Sequence, residues 1–302
     1  MIRALDRNTG QVKWEYDIRK DGDQTQFHGD PLVTNELVLI GTDGSMGHVY
    51  AFEQTTGAVR WKYPVKERGV ASEIVRLGGY VYAVTIGGEL LCLDLETGTA
   101  KWTFHSGYWS GDVCLTCSSP AAAEGHVYFG GQDGFAYALN AQTGELIWKR
   151  DLGARVTTSA AIQGHDLYLG TAKRHLYRLN ADSGEILSDL ATEATPSGRL
   201  IIAGGSLLAF LGDETLASLD LSLKQIRWSA EASKEWTSAR PYVWRGLCLA
   251  GNRSELVAFR LTDGTREWSH RFPETVRGIG TSEGVLYVGS LAGPIFAYAP
   301  SP

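Results

Sequence analysis

The sequence predicts an all-β chain, a single β-propeller domain of four-stranded blades spanning residues 1–302. Three observations carry that expectation. A phrase of 11 residues recurs at a spacing of about 40 to 47 residues, the length of one blade. Glycine is abundant, at 36 residues against 9 prolines, and falls between short apolar runs, which is the mark of many tight turns and short strands. The chain is 43% hydrophobic, ample for a core, yet no stretch approaches the roughly 18 to 20 apolar residues of a membrane-spanning helix.

The phrases, in chain order, are "ALDRNTGQVKW", "AFEQTTGAVRW", "CLDLETGTAKW", "ALNAQTGELIW", "RLNADSGEILS", "SLDLSLKQIRW" and "AFRLTDGTREW". Each opens on the third strand of a blade. Asp/Asn-x-x-Thr-Gly then turns the chain, because glycine accepts positive φ at little cost. The outer strand follows and carries Trp14, Trp61, Trp102, Trp148, Trp228 or Trp268. A tryptophan buries on the order of 200 Å², enough to dock one blade on its neighbour. The fifth phrase has Ser188 instead, and the sixth replaces Thr-Gly by Leu223-Lys224, so those two blades are expected to be the least regular. Between phrases lie two further strands, as in "SSPAAAEG" and "HVYFGGQD".

Innermost strands are expected near Phe27, Val70, Cys117, Val156, Thr195, Thr237 and Val276, giving seven blades. The chain ends on a third strand, "GPIFAYAP", and begins with an outer strand inside "IRALDRNTGQVKWEYD". Pairing of the N- and C-terminal strands would close the ring and remove exposed sheet edges. The opening "IRALD" duplicates a third strand and leaves a broken eighth blade open as the alternative.

The recurring Ala/Tyr-x-Leu-Asp/Asn-x-x-Thr-Gly-x-x-x-Trp unit resembles the PQQ-like repeat of quinoprotein dehydrogenases and BamB-type propellers. The resemblance covers nearly the whole chain and implies the propeller fold. Function is open, because propellers host unrelated activities. Quinoprotein dehydrogenases hold PQQ against adjacent cysteines beside a calcium ion. No two cysteines adjoin here, since Cys114 and Cys117 are separated by Leu115-Thr116, and no CxxCH is present. No cofactor is therefore expected. Cys92, Cys114, Cys117 and Cys248 read as small buried thiols of a β core. The lone CxxC has no second pair to complete a zinc site.

Lys and Arg number 28 against 34 Asp and Glu, a net charge of −6, which gives no reason to expect nucleic acid. The opening residues lack the apolar core of a signal peptide. That, with unpaired-looking cysteines, leads to the expectation of a cytoplasmic protein. BamB-like members of the family, which act in the periplasm, point the other way.

Loop length locates the elaborated face. Trp14 to Pro31 is 17 positions and Trp102 to Pro120 is 18, against 13 for Trp61 to Ile74 and 12 for Trp148 to Ala160. The loops "RKDGDQTQ", "HSGYWSGD" and "TDGSMGH" are expected on one face, a place where rigid scaffolds carry function. The innermost strands give a second signal. Alternation puts Asp30, Glu73, Arg199 and Arg240 in one row around the central channel, with His28 two residues earlier and Gln26, Arg155 and Trp236 two earlier again. Arg277 lies one position out of phase. Charges so central must be solvated or paired.

One reading is a structural Arg–carboxylate network. The main expectation is a pocket for a small anionic or zwitterionic molecule, held by Gln26, Arg155, Arg199, Arg240 and Arg277 and stacked on Trp236, Tyr108 and Trp109. One alternative is a cofactor-independent lyase, isomerase, cyclase or hydrolase, with His28, Asp30 and Glu73 as general acid/base groups. The other is a BamB-like scaffold that captures a protein partner on the long-loop face or along a strand edge. No metal is expected, and no membrane insertion.

Overall fold

The computed structural model describes residues 1–22, 27, 29–44, 46–66, 69–70, 72–107, 118–231, 240–253, 255–290 and 295–298. Two compact units make up the chain, Met1–Ala160 and Ala161–Pro302. Apart from one 3-10 turn at Ile18–Asp21, the regular structure among the described residues is antiparallel β-sheet.

Seven blades follow one another as meanders, each listing from its inner strand outwards. In the first unit an N-terminal hairpin pairs Ile2–Leu5 with Val12–Tyr16. Blade one is Leu32–Val33, Leu37–Gly41, His48–Glu53 and Val59–Pro64; blade two is Val75–Leu77, Tyr80–Val84, Glu89–Asp94 and Ala100–His105. Blade three is Ala121–Ala123, His126–Gly130, Phe135–Asn140 and Leu146–Asp151. The second unit holds blade four (Ala161–Gln163, Asp166–Thr171, His175–Asn180, Ile186–Ala191) and blade five (Pro196–Ala203, Ser206–Leu211, Thr215–Asp220, Ile226–Glu231). Blade six is Tyr242–Trp244, Leu247–Gly251, Glu255–Arg260 and Arg266–Arg271, and blade seven has three strands, Val276–Ser282, Val285–Ser290 and Ile295–Tyr298.

The middle strands are apolar runs such as "LVLIG" and "YVYAV", buried on both faces, as strands sandwiched between two layers must be. Outer strands alternate between exposed and covered positions. The core is therefore a series of seams. One apolar cluster joins blades one and two around Leu39, Val49, Leu91 and Leu93, and another joins blades two and three around Tyr82, Val84, Phe129 and Tyr137. Cys92 and Cys248 are buried in seams of this kind. Burial pushes the Cys92 thiol up to about 11 and the Cys248 thiol up to about 12. Cys114 and Cys117 lie outside the described residues.

Among the described residues, four seams are pinned by the repeat itself. The indole N–H of Trp14 donates to the Gln54 carbonyl at 2.8 Å, Trp61 to Leu95 at 2.9 Å, Trp102 to Ala141 at 3.1 Å and Trp228 to Leu261 at 2.9 Å. Each acceptor lies three residues before the turn glycine of the next phrase. A Cβ on that glycine would lie 2.5 Å from the Trp14 ring at Gly57, 2.5 Å from Trp61 at Gly98, 2.6 Å from Trp102 at Gly144 and 2.7 Å from Trp228 at Gly264. Glycine is thus required twice over, for its positive φ and for the indole lying against it.

Blades four and five, expected to be irregular, keep all four strands. Their seam exchanges large for small. Ser188 stands in the tryptophan position and donates its hydroxyl to Ser222 O at 2.8 Å, while Tyr168 O–H takes over the Leu221 carbonyl at 2.8 Å. The turn places Leu223 at φ 53, and its buried side chain packs among Tyr168, Leu190 and Leu219.

Candidate functional site

The inner strands begin with a hydroxyl that braces the blade. Ser72 Oγ accepts the Val84 N–H at 2.9 Å, and Ser118 Oγ accepts the Gly130 N–H at 3.2 Å. Alternation then turns the next residue the other way. Glu73 N–H donates to Ser119 Oγ at 3.0 Å, and Ala160 N–H donates to the Ser119 carbonyl at 3.0 Å. A Cβ on Gly29 would lie 2.6 Å from the Ser72 carbonyl oxygen, so the segment leading to Asp30 abuts the same step. In the first unit Asp30, Glu73 and Ser119 lie just ahead of successive inner strands.

Their surroundings differ. Asp30 and Arg155 are exposed and Glu73 is half-buried. In the second unit Arg199 is half-buried, just after Gly198, where pairing slips between Ser197 and Ile201. Arg240 is half-buried ahead of Tyr242–Trp244, and Arg277 is exposed at the slip between Val276 and Gly278. Asp30, Glu73, Arg199 and Arg240 each engage a neighbouring group. Gln26, His28, Tyr108, Trp109 and Trp236 lie outside the described residues.

The first long loop is anchored where it begins. Asp17 caps the 3-10 turn by accepting the Arg19 N–H at 3.1 Å, and Ile18 is buried. Asp21 accepts the Tyr16 hydroxyl at 2.6 Å, the Tyr50 hydroxyl at 3.0 Å and the Lys62 ammonium. Burial alone would raise the Asp21 pKa, but these three donors outweigh it and hold the carboxyl below its ordinary value. His48, close by in the "TDGSMGH" region, is held below the usual histidine value first by burial and then by Lys62. This start of the loop is a fastening. The second long loop is described only as far as Gly107, where Ser106 Oγ donates to Gly88 O at 3.2 Å.

The outer edges carry a feature absent from the expectations. In the hairpin and in blades one to six, the register of the third and outer strands skips one residue ahead of the tryptophan position. The skipped, bulged residue is Lys13, Arg60, Lys101, Ile147, Leu187, Arg227 or Glu267. A bulge with a charge is a common guard on a sheet edge. Blades three and four carry isoleucine and leucine there, 43% and 42% exposed. The signal was legible as the residue before each tryptophan.

Comparison with known proteins places this architecture. The family model described as outer membrane protein assembly factor BamB matches residues 1–154 and again residues 107–301. The chain belongs to the BamB family of PQQ-like propellers. The BamB of Yersinia pestis is 24% identical over 206 residues, a match covering 65% of this chain and 50% of that protein. The chain spans about half the length of the curated relatives it matches. The crystal structure of BamB from Moraxella catarrhalis superposes with a TM-score of 0.78 at 17% identity, covering 96% of this chain and 86% of that one, and so shows the propeller fold. A quinoprotein ethanol dehydrogenase of Pseudomonas aeruginosa is 32% identical over 102 residues, only 32% of this chain and 16% of that enzyme.

Two expectations change with this membership. A cytoplasmic location is overturned, because the BamB relatives are assembly factors of the outer membrane. The main functional expectation, a small anionic ligand, gains no support from the family, whereas the protein-binding alternative does.

Proposed function

We propose that this protein is a protein-binding scaffold in outer membrane protein assembly, working outside the cytoplasm. The observation that supports it is the BamB family match, which runs through almost every blade. The fold suits the role. Within each unit indoles pin neighbouring blades, and blades braced in this way present loops and edges with little loss of entropy on binding.

PQQ does not fit the residues present. Cys92 and Cys248 are buried in separate blades, no cysteines adjoin in the sequence, and no cluster of three or more His, Cys, Asp or Glu side chains occurs among the described residues. The charges Asp30, Glu73, Arg199 and Arg240, each engaged by a neighbouring group, serve a structural role in this reading rather than taking a ligand.

Immobilised protein incubated with detergent-solubilised outer membranes tests the scaffold role. Enrichment of the outer membrane protein insertion machinery, identified by mass spectrometry, is the expected result. An eluate no richer in that machinery than the eluate from an unrelated propeller refutes it.

A further inference from the structure

We propose that the outer edge of blade four, Ile186–Ala191, is a docking site for an extended segment of a client chain, which adds to the sheet as a fifth strand. The occupant is an unfolded stretch that alternates apolar with neutral or basic residues, as transmembrane β-strands do. This inference rests on the scaffold reading above and names its client surface.

A terminal strand offers unpaired N–H and C=O groups on alternate residues, and proteins usually blunt such edges with charges, bulges or a covering loop. The repeat shows what blunting means in this chain. At the bulge, the hairpin and blades one, two, five and six carry a charge, Lys13, Arg60, Lys101, Arg227 and Glu267. Blade four lacks that charge. Leu187 occupies the bulge, 42% exposed beside Ile186 at 39%. Blade three shares the apolar bulge but continues as Trp148-Lys149-Arg150-Asp151, whereas blade four continues as Ser188-Asp189-Leu190-Ala191. The charge on that stretch, Asp189, is turned to His175 Nδ1 at 3.0 Å. Strand Ile186–Ala191 ends its sheet, with Asp166–Thr171 and His175–Asn180 behind it.

Charge selects the occupant further. Asp182, Glu185 and Asp189 lie along or just before the strand. A client rich in Asp or Glu would be repelled, and one with Lys, Ser or Thr at its polar positions would not. Backbone pairing supplies affinity in such strand addition, and the exposed Ile186 and Leu187 supply the apolar contacts.

The probe is a fluorescein-labelled peptide of about ten residues, alternating Val or Leu with Ser, Thr or Lys, followed by anisotropy. Wild-type protein is expected to bind it. Leu187→Lys, which restores the guard of the other blades at an exposed position, is expected to weaken binding about tenfold or more, because a lysine must be desolvated against the client. Ile226→Lys, an equally exposed change on the blade-five edge, is expected to leave affinity within about twofold. A peptide with proline at alternate positions, lacking the N–H groups of one edge, is expected not to bind. Equal binding by Leu187→Lys, binding of the proline peptide, or no binding by wild type overturns the assignment. The capture experiment above does not depend on this peptide, so failure of the edge and failure of the scaffold role are read separately.

Discussion

Gly98→Ala and Gly10→Ala make a matched pair. Both glycines end the same Thr-Gly turn and share its backbone, with φ 67 and φ 72. An alanine forced into that left-handed conformation costs about 1–2 kcal/mol in either place. The neighbours differ. At Gly10 a Cβ would meet nothing within 4 Å, while at Gly98 it would lie 2.5 Å from Cδ2 and Cε3 of Trp61. Carbon atoms prefer about 3.5–4.0 Å, so the overlap is about 1 Å. Trp61 is buried and its N–H is bonded to Leu95 O at 2.9 Å, so the ring cannot withdraw without losing that bond. Overpacking of about 1–3 kcal/mol and a weakened hydrogen bond of about 1 kcal/mol add to the shared backbone term. Gly98→Ala should therefore cost about 3–6 kcal/mol against about 1–2 kcal/mol for Gly10→Ala. Guanidinium denaturation followed by far-UV circular dichroism reads the difference as a shift in midpoint at constant slope. Losses equal within about 0.5 kcal/mol would show that indole docking on the turn glycine is not what holds the seams.

The large-for-small exchange between blades four and five should behave as a coupled pair. Leu223→Gly opens a void and is expected to cost about 1–3 kcal/mol after relief of its positive φ, whereas Ser188→Trp combined with Leu223→Gly should recover part of that loss; a double variant whose cost is the plain sum of the singles refutes the coupling. Asp21 has a depressed pKa in the fold, so its contribution is fully present above the ordinary carboxylate range and is lost as pH falls through its lowered value. Asp21→Asn should cost about 1–3 kcal/mol at pH 7, and a pH series of melts in which the gap to wild type does not narrow as pH falls below the ordinary carboxylate range would contradict this. Arg199→Ala and Arg240→Ala should lower the melting temperature without changing capture of the insertion machinery; unchanged melting with lost capture would move these arginines into the binding surface.

Much of the fold was legible because the repeat is a geometric instruction. The turn glycine, the acidic or amide residue four before it and the tryptophan four after it each meet a fixed partner, and those partners recur with the same spacing. Ser188 and Leu223 read as defects in isolation, because sequence spacing cannot show that the two face each other across a seam. Asp30, Glu73 and Arg240 lie just ahead of the regular inner strands, and Arg199 and Arg277 lie at slips in strand pairing, none of which strict alternation anticipates. The blade-four edge was visible only by comparing all the residues that precede the tryptophan position, since a bulge leaves no mark within one repeat. Compartment followed from kinship and had no signature in the described blades.

Four indoles of the repeat, Trp14, Trp61, Trp102 and Trp228, reach forward to a carbonyl that is synthesised 33 to 40 residues later. An emerging blade therefore has no seat for its tryptophan until the following turn has left the ribosome. Folding must trail synthesis by one full module, and the newest indole waits unsatisfied at each stage, a recurring interval in which a chaperone or an export channel can hold the chain open.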